Sequence, residues 1–228
     1  MMRRNIALIP AAGVGARFGA GKPKQYVEIN GKTVLQHTIE IFEQHSRIDL
    51  IAVILSPEDS VFQTALSEKV RIFRVGGASR AETVRNGVSV LLEQGLAEAQ
   101  DNILVHDAAR CCLPAEALTR LLDEAGENDE GGILAIPVAD TLKRSDGSHH
   151  IDETVARAGL WQAQTPQLFQ TALLHRALSV DDLSEITDEA SAVEKLGIRP
   201  RLVQGDTRNL KLTLPQDEYI VRLLLKAV

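Results

Sequence analysis

The feature that most constrains the fold is an alternation of short apolar runs with longer amphipathic stretches. Each apolar run is too short to be a helix and continuous enough to be buried on both faces of a sheet. Between the runs, apolar residues of 33–45 recur with a period near 3.6. This pattern predicts an α/β fold that is Rossmann-like and doubly wound, with a mostly parallel sheet. The predicted strands are Ile6–Ile9, Leu50–Leu55, Arg71–Val75, Ile103–Val105 and Ile133–Ile136.

Helix starts are marked by capping residues. Ser56 followed by Pro57 predicts one start, because proline is favoured at the first helical position. Ser79 and Glu82 have the spacing of a capping box and predict a second. A final helix is predicted after Pro215, and its apolar face would contain Ile220, Leu223 and Leu224.

Length and charge narrow the function classes. The chain has 228 residues, with 25 Lys+Arg against 31 Asp+Glu and a net charge of −6. This length predicts a single domain over residues 1–228. The acidic balance argues against a protein that coats nucleic acid or an anionic membrane. An anionic ligand must therefore be held by a local cluster of basic residues.

The cysteines and the amino terminus predict a cytoplasmic protein. Cys111 and Cys112 are adjacent, which does not allow an ordinary disulfide and lacks the spacing of a structural zinc site. The apolar stretch Ile6–Pro10 is too short for a signal peptide or a membrane span.

A polar segment interrupts the alternation at about 138–158. Asp146-Gly147 lies at its middle, which is a hairpin signature between extended runs. A polar two-stranded hairpin is marginal in water by itself. The segment is therefore either a flexible surface loop or an arm that packs on another subunit.

The strongest chemical signal follows the first strand. Four glycines there are interleaved with Arg17, Lys22 and Lys24, which suits phosphate binding by backbone N–H groups and cations. Phe18 occupies the third glycine position of a dinucleotide fingerprint, and Pro23 occupies the Ser/Thr position of a Walker loop. Both familiar motifs are excluded, whereas a glycine-rich turn with solvated bases remains the alternative.

Three further positions suit an anion site. Asp107 and Arg110 follow a predicted strand, where open α/β sheets bind ligands. Gly77 precedes a capped helix start, whose free N–H groups favour acceptors. Lys211 lies in an apolar stretch, Asn209–Thr213, that predicts a strand; this lysine is either at an exposed edge or directed into an anionic site.

Covalent nucleophiles and zinc motifs are poorly represented. Neither a G-x-S-x-G elbow nor an H-E-x-x-H pair occurs in the sequence. An anion site with bases and no evident nucleophile favours phosphoryl or nucleotidyl transfer.

At this point the motifs resemble a known family, the 2-C-methyl-D-erythritol 4-phosphate cytidylyltransferases of non-mevalonate isoprenoid synthesis. The resemblance runs from Ile6 to about Tyr219 through PAAGVGARFGAGKPKQY, GGASRAETV, VHDAAR, PVADTLKR, TVARAGLWQAQTPQ, ITDEASA and NLKLT. It implies transfer of CMP from CTP to the polyol phosphate, with release of pyrophosphate and with Mg²⁺ as cofactor. It also implies a homodimer in which the polar hairpin is the dimerisation arm.

The resemblance assigns roles to single residues. Arg17 and Lys24 would stabilise the transition state, and Lys211 would help to position the reacting phosphates. Arg157, also counted as catalytic, and Thr187 would reach the alcohol phosphate of a neighbouring subunit. The implied nucleotide-binding residues are Ala11, Ala12, Gly13, Gly15, Gly77, Thr83, Asp107 and Ala108, with Asp107 also near the metal. The implied residues for the polyol phosphate are Arg110, Thr141, Arg157, Thr187 and Lys211.

Two departures and two rivals qualify this interpretation. Ala78 stands where family members often carry Asp, and Cys111 where they commonly carry Pro. The nearest rival keeps the fold and uses another alcohol, such as ribitol 5-phosphate. The other is a non-catalytic nucleotide-binding domain, which would give no reason to keep Lys24 and Lys211 beside a phosphate loop.

Overall fold

A computed structural model describes residues 3–13, 23–62 and 67–226. The described strands are β1 (Asn5–Pro10), β2 (Glu28–Ile29), β3 (Lys32–Thr33), β4 (Leu50–Ile54), β5 (Val70–Phe73), β6 (Asn102–Val105), β7 (Gly132–Pro137), β8 (Leu142–Ser145), β9 (Ile151–Val155), β10 (Trp161–Gln170) and β11 (Arg201–Gln204). The described α-helices are α1 (Val34–Gln44), α2 (Arg80–Glu93), α3 (Ala115–Ala125), α4 (Thr171–Leu178), α5 (Glu189–Glu194) and α6 (Asp217–Leu224). A 3₁₀ turn spans Lys24–Tyr26.

Seven strands form the main sheet in the order β11-β7-β10-β6-β1-β4-β5. β1 pairs in parallel with β4 on one side and with β6 on the other, so Ile6 is opposite both Leu50 and Ile103. Within this sheet, β10 runs antiparallel to its neighbours β6 and β7. The predicted mostly parallel α/β sheet is confirmed, and the five strands predicted from the apolar runs at 6–9, 50–55, 71–75, 103–105 and 133–136 belong to it.

Helices cover both faces of this sheet. In β1, Ala7 and Ile9 pack into a cluster with residues of α1 and α3. Ile6 and Leu8 point the other way, into a cluster with α2, α4 and α5. Because successive strand residues alternate between faces, one continuous apolar run supplies both cores, as in a doubly wound fold.

Two predicted elements differ in the structure. The helix predicted at Ser56 is a turn at residues 57–58, and the described residues through Phe62 contain no helix. The carboxylate of Asp59 accepts from the N–H groups of Val61 and Phe62, which is how a side chain caps free backbone donors, and residues 63–66 lie outside the described residues. The strand predicted at Asn209–Thr213 is irregular, since Leu212 N–H donates to the carbonyl of Ala109 rather than to a strand ladder.

The final helix forms where it was predicted but turns a different face inward. Val221 is buried and Leu224 packs partly against it, whereas Ile220 and Leu223 are each 50% exposed. Asp217 helps to fix this orientation, because its carboxylate accepts from the backbone N–H groups that precede the helix.

The polar segment contains a β-hairpin, as predicted. β8 and β9 are antiparallel and pair with each other in a two-stranded sheet of their own. Ile151 on this hairpin is 67% exposed and Trp161 at its base is 37% exposed. In the part of the chain that the structure describes, no helix is both long enough and apolar enough to cross a membrane.

Candidate active site

A cavity of about 410 Å³ opens at the carboxyl ends of β1, β5 and β6. The chain passes from β1 to β4 and β5 on one side and then returns to β6 on the other. The cavity therefore lies at the switch point of the sheet, where open α/β folds bind ligands. Its lining residues are Pro10, Ala11, Ala12, Gly13, Lys24, Gln25, Ser56, Gly77, Ala78, Ser79, Arg80, Thr83, Asp107, Ala108, Ala109 and Lys211.

The loop before α2 forms one wall of the cavity. Gly77 N–H donates to the hydroxyl of Thr83 at 3.1 Å, and that hydroxyl donates to the carbonyl of Ser79 at 2.9 Å. Ser79 caps α2 as predicted, but Glu82 accepts from the N–H of Ala78 instead of completing the capping box. A Cβ atom at Gly77 would collide with the Glu82 side chain, so the close fit of this wall depends on glycine.

Asp107 is the centre of a charge cluster in the cavity. Its Oδ1 accepts from Arg80 Nε at 2.8 Å, and its Oδ2 pairs with Lys211 Nζ at 2.8 Å. Arg110 Nε is 3.6 Å from the same Oδ2. Burial raises the pKa of Asp107, but the charges of Arg80 and Lys211 outweigh it and hold the pKa well below its usual range. Asp107 is therefore a carboxylate at neutral pH, and Lys211 points into this charged site and not to an exposed sheet edge.

A second, more deeply buried carboxylate anchors Arg80. Glu189 is 1% exposed, and its two oxygens accept from the two terminal nitrogens of Arg80 at 2.7 and 3.0 Å. Burial raises the pKa of Glu189, and the guanidinium opposes that shift. Because Arg80 starts α2 and Glu189 starts α5, this bidentate pair joins two helices while it holds the carboxylate of Asp107.

The loop that carries Asp107 is supported by His106 and Thr165. Burial lowers the pKa of His106 to about 4, so the ring is neutral at neutral pH. Its Nε2 lies 2.9 Å from the carbonyl of Arg110, which only accepts, so the proton is on Nε2. Nδ1 then accepts from the hydroxyl of Thr165, and the same hydroxyl accepts from Asp107 N–H at 3.1 Å.

Most residues predicted to bind the nucleotide meet in this cavity. Its described lining includes nine of the predicted site residues: Ala11, Ala12, Gly13, Lys24, Gly77, Thr83, Asp107, Ala108 and Lys211. Arg110 lies beside it, at Asp107. Thr141, Arg157 and Thr187 are exposed and are not part of that described lining. Gly15 and Arg17 lie outside the described residues.

Sequence reasoning missed several residues that support the site. Arg80, Glu189, His106, Thr165 and Gln25 were not predicted to act there. All five lie within the motifs that carry the family resemblance, as Glu189 does in ITDEASA, and that position was the available signal. Their contacts gave no signal, because short-range patterns do not reveal an interaction between distant segments, such as the ion pair of Glu189 with Arg80.

The described residues could hold a magnesium ion only if a substrate supplied some of its ligands. No group of three or more His, Cys, Asp or Glu in the described ranges is arranged to hold a metal. Asp107 alone supplies a carboxylate to the described lining, and its two oxygens have acceptor capacity beyond the ion pairs with Arg80, Lys211 and Arg110. Mg²⁺ is commonly held by one or two carboxylates plus substrate phosphates, so Asp107 suits the protein share of such a site.

The fold and this cavity define a nucleotide-binding α/β enzyme. A protein-family model for 2-C-methyl-D-erythritol 4-phosphate cytidylyltransferase matches residues 5–227. A protein of that name from Neisseria meningitidis serogroup C is 70% identical, with 100% of both chains covered. One from Chromobacterium violaceum is 49% identical over 97% of this chain and 98% of its own length.

Solved structures agree with this assignment. A crystal structure of 4-diphosphocytidyl-2C-methyl-D-erythritol synthase is 64% identical, covers 99% of this chain and 100% of its own, and superposes with a TM-score of 0.89. The cytidylyltransferase from Francisella tularensis is 31% identical, with 96% and 99% covered and a TM-score of 0.82. The chain belongs to the 2-C-methyl-D-erythritol 4-phosphate cytidylyltransferase family.

The Arg80–Glu189 pair generates a stability prediction. Glu189→Ala should lower the free energy of unfolding by about 2–4 kcal/mol, because it leaves a partly buried guanidinium with one partner fewer. Urea unfolding at pH 7 measures this change. Glu153→Ala is the matched control, since Glu153 pairs with Arg144 at 2.6 Å on the exposed hairpin and should cost at most about 1 kcal/mol. Equal losses in the two variants would contradict the anchoring role of Glu189.

Proposed function

We propose that this cavity binds CTP and transfers its cytidylyl group to 2-C-methyl-D-erythritol 4-phosphate, releasing pyrophosphate. Membership of the family supports the reaction. The observation that carries the location is the meeting of Lys24, Asp107 and Lys211 with the backbone of Ala11–Gly13 at the switch point of the sheet. These groups combine cations with backbone that a ligand can approach closely, and both features suit the binding of a nucleoside triphosphate.

The chemistry needs no nucleophilic side chain. An oxygen of the polyol phosphate attacks the α-phosphorus of CTP, and the bond from that phosphorus to the bridging oxygen breaks. Its electron pair leaves with pyrophosphate. The protein must bring two anions together and stabilise charge on a five-coordinate phosphorus. Lys24 and Arg17 are proposed to stabilise that charge, and Lys211 is proposed to position the reacting phosphates.

Asp107 is proposed to hold Mg²⁺ jointly with the nucleotide phosphates. When bound, the ion would neutralise charge on the triphosphate and favour departure of pyrophosphate. Arg80 keeps Oδ1 of Asp107 in place from the side of α2. The remaining acceptor capacity of the carboxylate is available towards the cavity.

A homodimer through the hairpin completes the proposal. Thr141 and Arg157 flank the hairpin and are exposed, as expected for residues that would reach the polyol phosphate in a second subunit. The exposed side chains of Ile151 and Trp161 would become buried in such a contact. A hairpin of two strands is marginal by itself, so a partner surface would also stabilise it.

We also place the enzyme in the cytoplasm. Cys111 and Cys112 are both free thiols and both buried. Adjacent reduced cysteines fit a reducing compartment.

A coupled assay for pyrophosphate release tests the reaction. Release should require a polyol phosphate, should be faster with CTP than with ATP, GTP or UTP, and should stop with EDTA and return with added Mg²⁺. Comparing 2-C-methyl-D-erythritol 4-phosphate with ribitol 5-phosphate identifies the alcohol. Equal rates with all four nucleotides would contradict the cytidine assignment, and a preference for ribitol 5-phosphate would contradict the alcohol.

Lys24 provides a sharper test of the site. Lys24→Ala should lower kcat by roughly 10² to 10³, the scale of one lost electrostatic donor in the transition state. Lys32→Ala is the matched control, because Lys32 lies in β3 and pairs with Glu40 at the surface. Steady-state kinetics with both substrates measures the effect. Near-normal turnover of Lys24→Ala would disprove its role.

The arm makes a prediction about mixed subunits. Lys24→Ala and Arg157→Ala homodimers should each be nearly inactive, because each lacks a group in both sites. Heterodimers should recover activity, since one of their two sites would then have both groups from different chains. Co-expression with two affinity tags gives pure heterodimers for the assay. No recovery in verified heterodimers would refute action of Arg157 across the interface.

A further inference from the structure

A buried side-chain amide ties together the two ends of the glycine-rich segment. The described chain stops at Gly13 and resumes at Pro23. Gln25 is 5% exposed, and its Nε2 donates to the carbonyl oxygens of Ala11 and Gly13, each at 2.9 Å. Since a primary amide has two hydrogens to donate, both are committed to the backbone at the opposite end of the segment.

These hydrogen bonds fix the backbone that lines the cavity. In a trans peptide the C=O and N–H groups point in opposite directions, so holding the Ala11 carbonyl also sets the direction of the Ala12 N–H. Ala11 is itself held to the sheet, because its N–H donates to the carbonyl of Ile54 at 2.8 Å. Without the amide, two carbonyl oxygens beside an anion site would lose their donor.

The same amide helps to place Lys24. Lys24 and Gln25 are consecutive in the 3₁₀ turn, and the next residue, Tyr26, donates its hydroxyl to Asp59 at 2.5 Å. Lys24 is therefore followed directly by two anchored residues. Gln25 is anchored to the backbone that follows β1, and Tyr26 is anchored to the loop after β4.

We propose that Gln25 is a positioning residue for cytidylyl transfer: it sets Lys24 against the backbone at Ala11–Gly13. This inference rests on the proposed function, in which Lys24 stabilises the transition state. Misplacing a catalytic group by about 1 Å is enough to lower a rate about 10²-fold. Loss of the two Gln25 hydrogen bonds should therefore lower turnover more than it weakens binding of the polyol phosphate.

Gln25→Met tests this, because it keeps a similar side-chain length and removes both donors. We expect kcat to fall by about 10²-fold while KM for the polyol phosphate stays unchanged. Asn102→Leu is the control: Asn102 is also a buried amide that donates to a carbonyl, that of Gly126 at 2.9 Å, but it lies at the amino end of β6. This control should lower the melting temperature and leave kcat unchanged.

Gln25→Asn serves as a milder second variant. It keeps an amide that is one methylene shorter, so it should reach at most one carbonyl and give an intermediate kcat. If Gln25→Met does not fold, the kcat of Gln25→Asn tests the positioning role of Gln25. Wild-type kcat in either folded variant would overturn the role of Gln25 and leave the proposed function intact. Absence of CTP-dependent pyrophosphate release by the wild-type enzyme would overturn both.

Discussion

The carboxylate of Asp107 joins parts of the chain that are far apart in sequence. Arg80 reaches it from α2 and Lys211 from the segment before α6, while Glu189 on α5 holds Arg80 from behind. Each partner would be costly to bury alone, since an isolated buried charge is strongly unfavourable. The cavity therefore has its shape only when these segments are assembled together, and the charges that suit a nucleotide also fix the loops around it.

The parallel part of the sheet was predictable because burial on both faces leaves a continuous apolar run in the sequence. β10 was not, because its buried middle contains polar side chains. Gln164 and Gln167 are both buried there, and each has its amide bonded, to Asp206 and to Asp188 respectively. Apolar periodicity does not detect a strand whose burial depends on hydrogen bonds to distant segments. Asn209–Thr213 shows the opposite error, an apolar stretch that forms no ladder.

The candidate site was predictable to the extent that its residues follow strands. Residues after β1 and β6 converge because the carboxyl ends of parallel strands share one edge. The resemblance added Thr83, which strand positions do not indicate, whereas Lys211 was already a candidate as a lysine in an apolar stretch. Thr141, Arg157 and Thr187 do not join the described cavity lining, and their assignment to the polyol phosphate stays a prediction. The role proposed for Gln25 was not predicted, because it depends on hydrogen bonds to two backbone oxygens and not on a charge pattern.

The ion pair between Lys211 and Asp107 bears on how the cavity discriminates among anions. The two charges partly offset each other at 2.8 Å, although Arg80 and Arg110 share the same carboxylate. An oligophosphate offers several oxygens at once and can replace the carboxylate on Lys211, while Arg80 and Glu189 keep Asp107 from following. An internal pair of this kind would set a threshold, because a ligand with several phosphate oxygens could replace the carboxylate on Lys211 more readily than a small anion with a single charge.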